Sequence, residues 1–420
     1  MKRALLSLLF PLLLLCGCAS GSPPAQEPPP VPEAASPSPV PTPAPTPVPP
    51  ARQLTLTVSR DGRVLEALTD EDDQTIARFQ PGQEIRIQAE EAMDCLCIRW
   101  NKTPSPWRLE AAGQSVSGGE QEFLHEFIRL PVPSADCRIC LSEEAAGEIS
   151  GIAAFTPGQL PDWVQIWSPP WDRAELLLFP THSDDEFVFF GGLIPLYAAE
   201  RGLRVQVVYM TSNYGSYSWH HRCHEKLDGL WHAGIRNYPV SNPVKDLPFK
   251  NRWIAAAYYG EDSFIQFQAE QIRRFRPLVI VDHAERGEYG HSVHIFNTLS
   301  MEQAVSLAAD PAYDPESAET WGVWDTPKLY LHLYGEEETQ TVLDFEFPLA
   351  AFGGKSAFTV AQEAFALHKS QQQWGFRVYG DDSEHDCHRY GLFRSLVGED
   401  TEKNDLFEHL TLPASADPFN

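Results

Sequence analysis

Positive charge is scarce in this sequence of 420 residues, which has 32 lysines and arginines against 58 aspartates and glutamates and a formal net charge of −26. A protein this acidic has no field that attracts phosphate backbones, which argues against a nucleic-acid partner. Long apolar runs are lacking after the first 15 residues, so a polytopic membrane protein is excluded. Apolar residues make up 43% of the chain, a composition typical of a globular protein with two or three domains.

The one apolar run lies at the N-terminus. Lys2 and Arg3 precede a leucine-rich stretch at 5–15, which is too short to span a bilayer comfortably and has the length of a secretory signal core. The run ends in Leu15-Cys16-Gly17-Cys18, which resembles a bacterial lipobox. We therefore predict a lipoprotein signal peptide over residues 1–18, with Cys18 lipidated at the extracytoplasmic face of the cell membrane. An ordinary cleaved signal and an uncleaved anchor are the alternatives.

A proline-rich linker is predicted for residues 19–50, since 14 prolines fall between residues 22 and 50. Such a segment forms an extended polyproline spacer of roughly 90 Å, at ~3.1 Å per residue. The linker is expected to hold a folded body away from a membrane surface.

Short alternating apolar patterns follow between Gln53 and Phe155, as in Leu54–Val58, and Asp61-Gly62 is typical of a hairpin turn. These features predict a β-sandwich domain over residues 51–160. Its four cysteines predict one or two disulfides in an exported protein, with a zinc knuckle as the alternative. They are Cys95, Cys97, Cys137 and Cys140.

After a connector at 157–171, short apolar strands alternate with helical periodicity. This alternation predicts a Rossmann-like α/β domain over residues 172–420, with a mostly parallel sheet and flanking helices. The predicted strands are 174–179, 205–209, 278–281 and 328–333, and the predicted helices are 187–202, 219–235, 264–275 and 356–373.

The run His182-Ser183-Asp184-Asp185-Glu186 comes directly after the first predicted strand. So many ionisable groups are costly to bury unless they are solvated, paired or bound to a cation. His182 and Asp185 are three residues apart and can face one point, and their donor atoms suit zinc. Asp184 would then remain free. A helix start with acidic residues facing the N-terminal dipole is the alternative.

A second cluster, Gly290-His291-Ser292-Val293-His294, follows the strand at 278–281. His291 and His294 are also three residues apart and share a face if a helix begins here. Because open α/β sheets bind ligands beyond the carboxyl ends of their strands, both clusters are expected at the same edge of the sheet.

Together the clusters resemble the two signatures of the PIG-L (LmbE-like) N-acetylglucosaminyl deacetylase family, a His-Pro-Asp-Asp-Glu run and a Gly-His-x-x-His run. The resemblance covers about residues 174–395, with further similarities at Arg222-x-x-Glu225 and at 368–371. Ser183 stands where the family usually has proline, which stiffens a loop, so the sequence does not decide whether this loop is rigid.

The resemblance implies one zinc ion held by His182, Asp185 and His294. It also implies Asp184 as the general base and His291, charged or donating, as the group that stabilises the oxyanion or protonates the leaving amine. The chemistry agrees, because three protein ligands leave a fourth position open and an unligated carboxylate can accept a proton. The family typically removes acetyl groups from N-acetylglucosamine-type amides.

Arg222 and His368 are predicted substrate contacts. A salt bridge from Arg222 to Glu225 and a core or capping role for His368 are the alternatives. Two further histidine groups are expected to be a solvated helix face and a loop rather than metal sites. They are His220, His221 and His224 for the helix, and His385 and His388 for the loop.

Two functions fit the sequence. The first is a zinc-dependent hydrolase that removes the N-acetyl group from a sugar or glycoconjugate at the cell surface. The second is a surface-anchored glycan-binding protein with an inactive deacetylase-like domain. Retention of every candidate ligand favours the enzyme.

Overall fold

The computed structural model describes residues 48–213, 221–381 and 383–412. The predicted signal peptide, Cys18, His220 and all of the linker before Val48 therefore lie outside the described residues. From Val48 onward the chain packs as one compact unit with two β-sheets, which we call the N-terminal sheet (56–155) and the C-terminal sheet (176–395). None of the helices in the described ranges combines the length and apolar character needed to cross a membrane.

The N-terminal sheet has eight antiparallel strands. Asp61 and Gly62 both have positive φ (52° and 77°) in the tight turn between the first two strands, which confirms the predicted hairpin. The strands are β1 (Leu56–Arg60), β2 (Arg63–Val64), β3 (Ala77–Phe79), β4 (Glu84–Trp100), β5 (Trp107–Ala111), β6 (Gln114–Gly118), β7 (His125–Cys140) and β8 (Gly147–Phe155).

Two long strands hold this sheet together. β4 and β7 pair from Glu84↔Cys140 to Arg99↔His125, with irregular register between Gln88 and Cys95. β1 and β5 join one half of this ladder, and β8 joins the other half. Because the same two strands run through both halves, all eight strands share one hydrogen-bonded sheet. The two-sheet sandwich predicted for residues 51–160 is therefore not confirmed.

The predicted disulfides are absent, since all six cysteines of the described residues are free thiols. Strand register explains why. Cys137 lies opposite Ile87, whereas Cys95 lies opposite Arg129. Eight residues of β4 separate the two positions, roughly 26 Å at ~3.3 Å per residue. That span is far beyond disulfide reach and also excludes a zinc knuckle built from both cysteine pairs.

The C-terminal sheet is mixed, with strand order β11-β10-β9-β12-β13-β15-β14. The first five strands are parallel and follow the order 3-2-1-4-5 of doubly wound sheets, while β15 is antiparallel. Every residue of β9 is buried, because Leu176 and Leu178 pack into one core and Leu177 into the other. The strands are β9 (Leu176–Leu178), β10 (Val205–Tyr209), β11 (Val240–Ser241), β12 (Val279–Asp282), β13 (Lys328–His332), β14 (Thr341–Val342) and β15 (Arg389–Ser395).

Seven α-helices accompany this sheet in the described ranges. The helix predicted over 187–202 is wrong, because Gly191, Gly192 and Pro195 break it into the short α1 and a separate π-helical turn. The predicted helix over 356–373 likewise ends early and continues as a 3-10 segment at Lys369–Trp374. The helices are α1 (Asp185–Val188), α2 (His221–His232), α3 (Arg252–Tyr259), α4 (Ser263–Phe275), α5 (Ser292–Leu307), α6 (Pro315–Trp321) and α7 (Ala357–Ala366).

The N-terminal sheet packs against α2. His125 Nε2 lies 2.8 Å from His224 Nδ1, and Arg99 Nη2 donates to Asp228 at 2.6 Å. Burial keeps the pKa of His125 well below its usual range, so this ring is neutral in the folded chain. The prediction of a solvated helix face is therefore wrong for His224, which is buried between the two sheets.

A buried lysine fastens the end of the described chain to β13. Lys328 Nζ donates to Asp400, to the Tyr330 hydroxyl at 2.8 Å and to the Glu408 carbonyl at 2.9 Å. The lysine side chain is fully buried and Asp400 nearly so. Removing only the lysine would leave a buried carboxylate without its cation, which is expensive.

Lys328→Met is expected to lower the free energy of unfolding by ~3–5 kcal/mol, the usual effect of breaking a buried ion pair. The matched control is Lys355→Met, which removes a half-exposed pair with Glu363 and should cost ~0–1 kcal/mol. Urea denaturation monitored by circular dichroism measures both values. Equal and small losses in the two variants would contradict this account of the buried pair.

Candidate metal centre

The two predicted clusters meet where the C-terminal sheet changes direction. β9 and β12 are parallel neighbours, and the connections from these strands lead to opposite sides of the sheet. The loop after β9 carries residues 180–186, and the loop after β12 leads through Glu288 to α5. The carboxyl ends of both strands therefore bring their side chains to one place, as the sequence predicts.

Three donor atoms form a tight triangle there. His182 Nδ1 lies 3.1 Å from Asp185 Oδ2 and 3.0 Å from His294 Nε2, and the last two atoms are 3.3 Å apart. Ligands at ~2.0–2.1 Å from a tetrahedral zinc ion are separated by about 3.3 Å, so these spacings match three corners of such a site. All three side chains are buried.

Glu288 orients one corner of the triangle. Its Oε2 lies 2.6 Å from His294 Nδ1, and its Oε1 lies 3.0 Å from both His283 Nδ1 and His332 Nδ1. A carboxylate accepts hydrogen bonds, so Nδ1 of His294 carries the proton and Nε2 presents its lone pair to the triangle. Burial opposes ionisation of Glu288, but the histidines hold its pKa well below the usual range.

The three donor atoms of the triangle are stable together only with a cation between them. His182 Nε2 faces Asp246 Oδ1 at 3.6 Å, which favours a proton on Nε2 and a lone pair on Nδ1. Lone pairs of His182, Asp185 and His294 then converge within 3.3 Å, an arrangement that repels unless a proton or a metal ion lies among them. The donor set of two imidazoles and one carboxylate therefore fits a metal ion.

Asp184 lies beside the triangle in a strained conformation. Its φ of 139° falls in a region that side chains rarely adopt, and Glu186 Oε2 accepts its backbone N–H at 2.7 Å. Arg222 Nη2 lies 3.3 Å from Asp184 Oδ1. Burial raises the pKa of Asp184 to about 7, against the opposing effect of Arg222. A carboxyl with this pKa can both accept and return a proton near neutral pH.

His291 lies against the triangle, with its ring centroid 4.7 Å from that of His182 and 4.6 Å from that of His294. Burial and these neighbouring imidazoles lower its pKa to about 2, so the ring is neutral, and a charged His291 is not supported. Its Nδ1 is buried and has no hydrogen-bond partner among the described residues. A donor atom of His291 also lies within 4.8 Å of donor atoms of His182 and His294.

The loop at Ser183 lacks the proline that is usual in the PIG-L family, and hydrogen bonds restrain it instead. Ser183 Oγ donates to Asn213 Oδ1 at 2.7 Å, and Arg222 donates to the Ser183 carbonyl oxygen. Both residues are buried, so these bonds restrain the backbone where proline would have stiffened it.

Arg222 pairs with Asp184 and, at 3.4 Å, with Asp246 rather than with Glu225, so the alternative of a salt bridge to Glu225 is wrong. Glu225 instead accepts hydrogen bonds from Ser370. The arginine therefore contacts the carboxylate predicted to be the base.

His368 is fully buried, with Nε2 3.2 Å from Glu186 Oε1. It does not line the cavity at the metal centre, so a core histidine describes this position better than a substrate contact does. His388 forms a second group of potential donors with Asp386 and Cys387. Asp386 is already occupied by His388 and Arg389, and burial raises the pKa of the Cys387 thiol well above its usual range, which disfavours a metal there.

A cavity of about 240 Å³ opens onto the triangle. Sequence reasoning missed several of its residues and supports. Asp246 and Gln371 lack any local motif, and Tyr289 and Phe376 resemble ordinary core aromatics in the sequence. Glu288 lies between two glycines and three residues before His291 in the sequence. This position was the one signal that could have indicated its role in supporting the site. The cavity lining comprises His182, Asp184, Asp185, Val188, Phe189, Arg222, Asp246, Pro248, Tyr289, His291, Gln371 and Phe376.

Comparison with known proteins gives sequence matches to deacetylases. The chain is 29% identical over 187 residues to 1D-myo-inositol 2-acetamido-2-deoxy-alpha-D-glucopyranoside deacetylase 1 of Catenulispora acidiphila, a match that covers 38% of this chain and 56% of the relative. It is 29% identical over 180 residues to deacetylase 2 of the same name from Saccharopolyspora erythraea, covering 37% of this chain and 63% of the relative. The chain thus spans between about half and two thirds of each relative.

Among solved structures, N,N'-diacetylchitobiose deacetylase from Pyrococcus horikoshii matches with a TM-score of 0.34 and 17% identity, over 51% of this chain and 74% of that one. No family model matches the chain. The chain thus resembles the PIG-L (LmbE-like) deacetylase family, both in its curated sequence relatives and in its His182–Glu186 and Gly290–His294 motifs.

Proposed function

We propose that this protein is a zinc-dependent hydrolase that removes the N-acetyl group from an N-acetylglucosamine-type sugar or glycoconjugate. The observation that carries the proposal is the convergence of three lone-pair donors, from His182, Asp185 and His294, beside the unligated carboxylate of Asp184. The deacetylase names of the curated relatives support the same reaction class.

Zinc is proposed because of the donor set. Two imidazole nitrogens and one carboxylate oxygen are typical ligands of catalytic zinc, and three protein ligands leave a fourth position open. A zinc ion bound by these residues would supply Lewis acidity toward the amide carbonyl and lower the pKa of a water to about 7. The cavity of about 240 Å³ leaves space for part of a sugar beside this position.

The chain's own residues supply proton transfer. Asp184 accepts the proton of the attacking water, since its pKa of about 7 leaves a large fraction ionised at neutral pH. The same carboxyl can return that proton to the amine that leaves. Arg222 holds the carboxylate at 3.3 Å, so the acceptor oxygen keeps a fixed direction.

His291 acts as a neutral hydrogen-bond donor. The reaction places negative charge on the carbonyl oxygen of the acetyl group, and a preorganised donor offsets it by roughly 3 kcal/mol. The buried Nδ1 of His291 has no hydrogen-bond partner in the part of the chain that the structure describes, so this ring has donor or acceptor capacity left for a ligand. A role as a protonated acid would require a pKa far above about 2.

The alternative function, a glycan-binding protein with an inactive deacetylase-like domain, is not favoured. A degenerate site usually loses at least one ligand, whereas here all three donors remain within 3.3 Å of one another. The relatives are also named as enzymes.

The proposal includes the cell surface as location, supported by the lipobox-like end of the apolar run at Cys18. Because the lipid is attached to this thiol, Cys18→Ala is expected either to release the protein into the soluble fraction or to leave it as an uncleaved precursor of larger size. Cys16→Ala is the matched control and should remain lipidated. Immunoblots of fractionated cells and labelling with a radioactive fatty acid measure both. Lipid labelling of Cys18→Ala would refute the assignment.

Chelation is expected to abolish acetate release from N-acetylglucosamine oligomers, and added zinc to restore it. Asp184→Asn removes the proton acceptor but no metal donor, so kcat should fall by about 10²–10⁴-fold while zinc content is retained. Asp185→Asn, one residue along the loop, should lose zinc as well as activity. Acetate assays and elemental analysis measure the two effects. Activity that survives both chelation and Asp184→Asn would refute the proposed function.

Glu288→Gln is expected to weaken zinc binding by about 10–100-fold, because the residue that fixes the His294 ring loses its negative charge. The exposed Glu285→Gln, three residues earlier in the same loop, is the matched control and should leave the zinc dissociation constant unchanged. Competition with a chromophoric chelator measures this constant. Identical constants for the two variants would show that Glu288 does not orient the site.

A further inference from the structure

Two further cavities lie between the N-terminal sheet and α2. One cavity of about 710 Å³ is lined by residues of the N-terminal sheet, of the connector and of α2, among them Arg99, Trp163 and Asp228. Another of about 380 Å³ shares Asp73, Asp228 and Lys369 with the first. The two cavities therefore adjoin and form one groove, which we call the junction groove. The reaction described above does not use it.

Helix α2 contributes side chains to both the junction groove and the cavity at the metal centre. Arg222 lines the cavity at the metal centre, while Glu225 and Asp228, three and six residues later, line the junction groove. Six residues of α-helix rise by about 9 Å, roughly the length of two sugar units. The groove and the reaction site are thus both bordered by the same helix.

The 3-10 segment at Lys369–Trp374 also lines both cavities. Lys369 and Ser370 line the junction groove, and Gln371 lines the cavity at the metal centre. Glu225 fixes this segment to α2, since its carboxylate accepts from the Ser370 backbone N–H at 2.8 Å and from Ser370 Oγ at 2.6 Å. Two elements that are hydrogen-bonded to each other therefore contribute side chains to both cavities.

The lining of the junction groove suits a carbohydrate. Trp163 is 56% exposed, and its ring is anchored by Phe155 at a centroid distance of 5.4 Å. An exposed indole offers an apolar face for the C–H face of a pyranose, while polar groups around it can bind hydroxyls. Gln53, Thr55 and Thr69 supply such groups.

The charge of the groove selects among glycans. Arg99 is neutralised by Asp73 at 2.5 Å and Asp228 at 2.6 Å. Glu71 and Asp72 then outnumber Lys369, so the groove keeps a negative excess on a protein of net charge −26. Anionic chains are repelled from such a groove, whereas uncharged chains are not.

We propose that the junction groove binds the extension of an uncharged N-acetylated oligosaccharide whose reacting sugar lies at the metal centre. The substrate is therefore a glycan chain rather than a single sugar, and the N-terminal sheet supplies part of its binding site. This inference rests on the proposed function and names the substrate class for it.

The test compares kcat/KM for acetate release from N-acetylglucosamine and from its β-1,4-linked tetramer. The wild type should prefer the tetramer by at least about tenfold. Trp163→Ala should reduce this ratio by roughly 3- to 10-fold, the loss expected for one aromatic stacking contact. Trp253→Ala is the matched control, because Trp253 is similarly exposed at 64% but lines neither cavity. Its ratio should equal that of the wild type.

Calorimetry of tetramer binding to the Asp184→Asn variant, with and without Trp163→Ala, tests the groove independently of turnover. If the tetramer binds more weakly only when Trp163→Ala is present, the groove is supported. Absence of acetate release from the wild type would refute the proposed function but not the groove. Equal kcat/KM for monomer and tetramer, or equal effects of the two tryptophan variants, overturns the groove. A hyaluronan tetramer, which is N-acetylated and anionic, should bind more weakly than the neutral tetramer, and equal binding would also overturn it.

Discussion

The candidate site depends on one buried carboxylate. Glu288 has a fully buried side chain and contacts three imidazoles, those of His283, His294 and His332, which come from two strand ends and a helix. A lone charge in such a place would be prohibitive, so the carboxylate and its histidines can exist there only as a set. The set fixes the ring of His294, and the ring in turn aims a lone pair at His182 and Asp185.

The C-terminal sheet places this set by topology alone. β9 and β12 are neighbours although 100 residues of chain separate Leu178 from Val279, so the loops after them share one edge. The strained backbone of Asp184 is part of the same arrangement, since it turns one carboxylate away from the triangle while its neighbour Asp185 faces inward. The two adjacent aspartates thereby have different neighbours, Arg222 for Asp184 and His294 for Asp185.

The sequence predicted the α/β strands and the donor triangle because buried strands are short apolar runs and the motifs follow them directly. It failed where long-range pairing decides the structure. Nothing local in Cys95 or Cys137 reveals that β4 and β7 set them eight residues apart. His224 has helical periodicity with charged neighbours, so only tertiary packing against His125 explains its burial. Asp246 reaches the site from a loop with no motif.

Helix α2 contacts two parts of the structure: the Asp184 carboxylate through Arg222, and the N-terminal sheet through His224 and Asp228. The N-terminal sheet is consequently not an appendage that can be removed without disturbing the candidate site. A shortened chain that begins near residue 172 would expose the buried face of His224 and leave Asp228 without its guanidinium partner, in the helix whose Arg222 contacts Asp184. A chimaera that takes α2 from this chain would also need the sheet that packs on it.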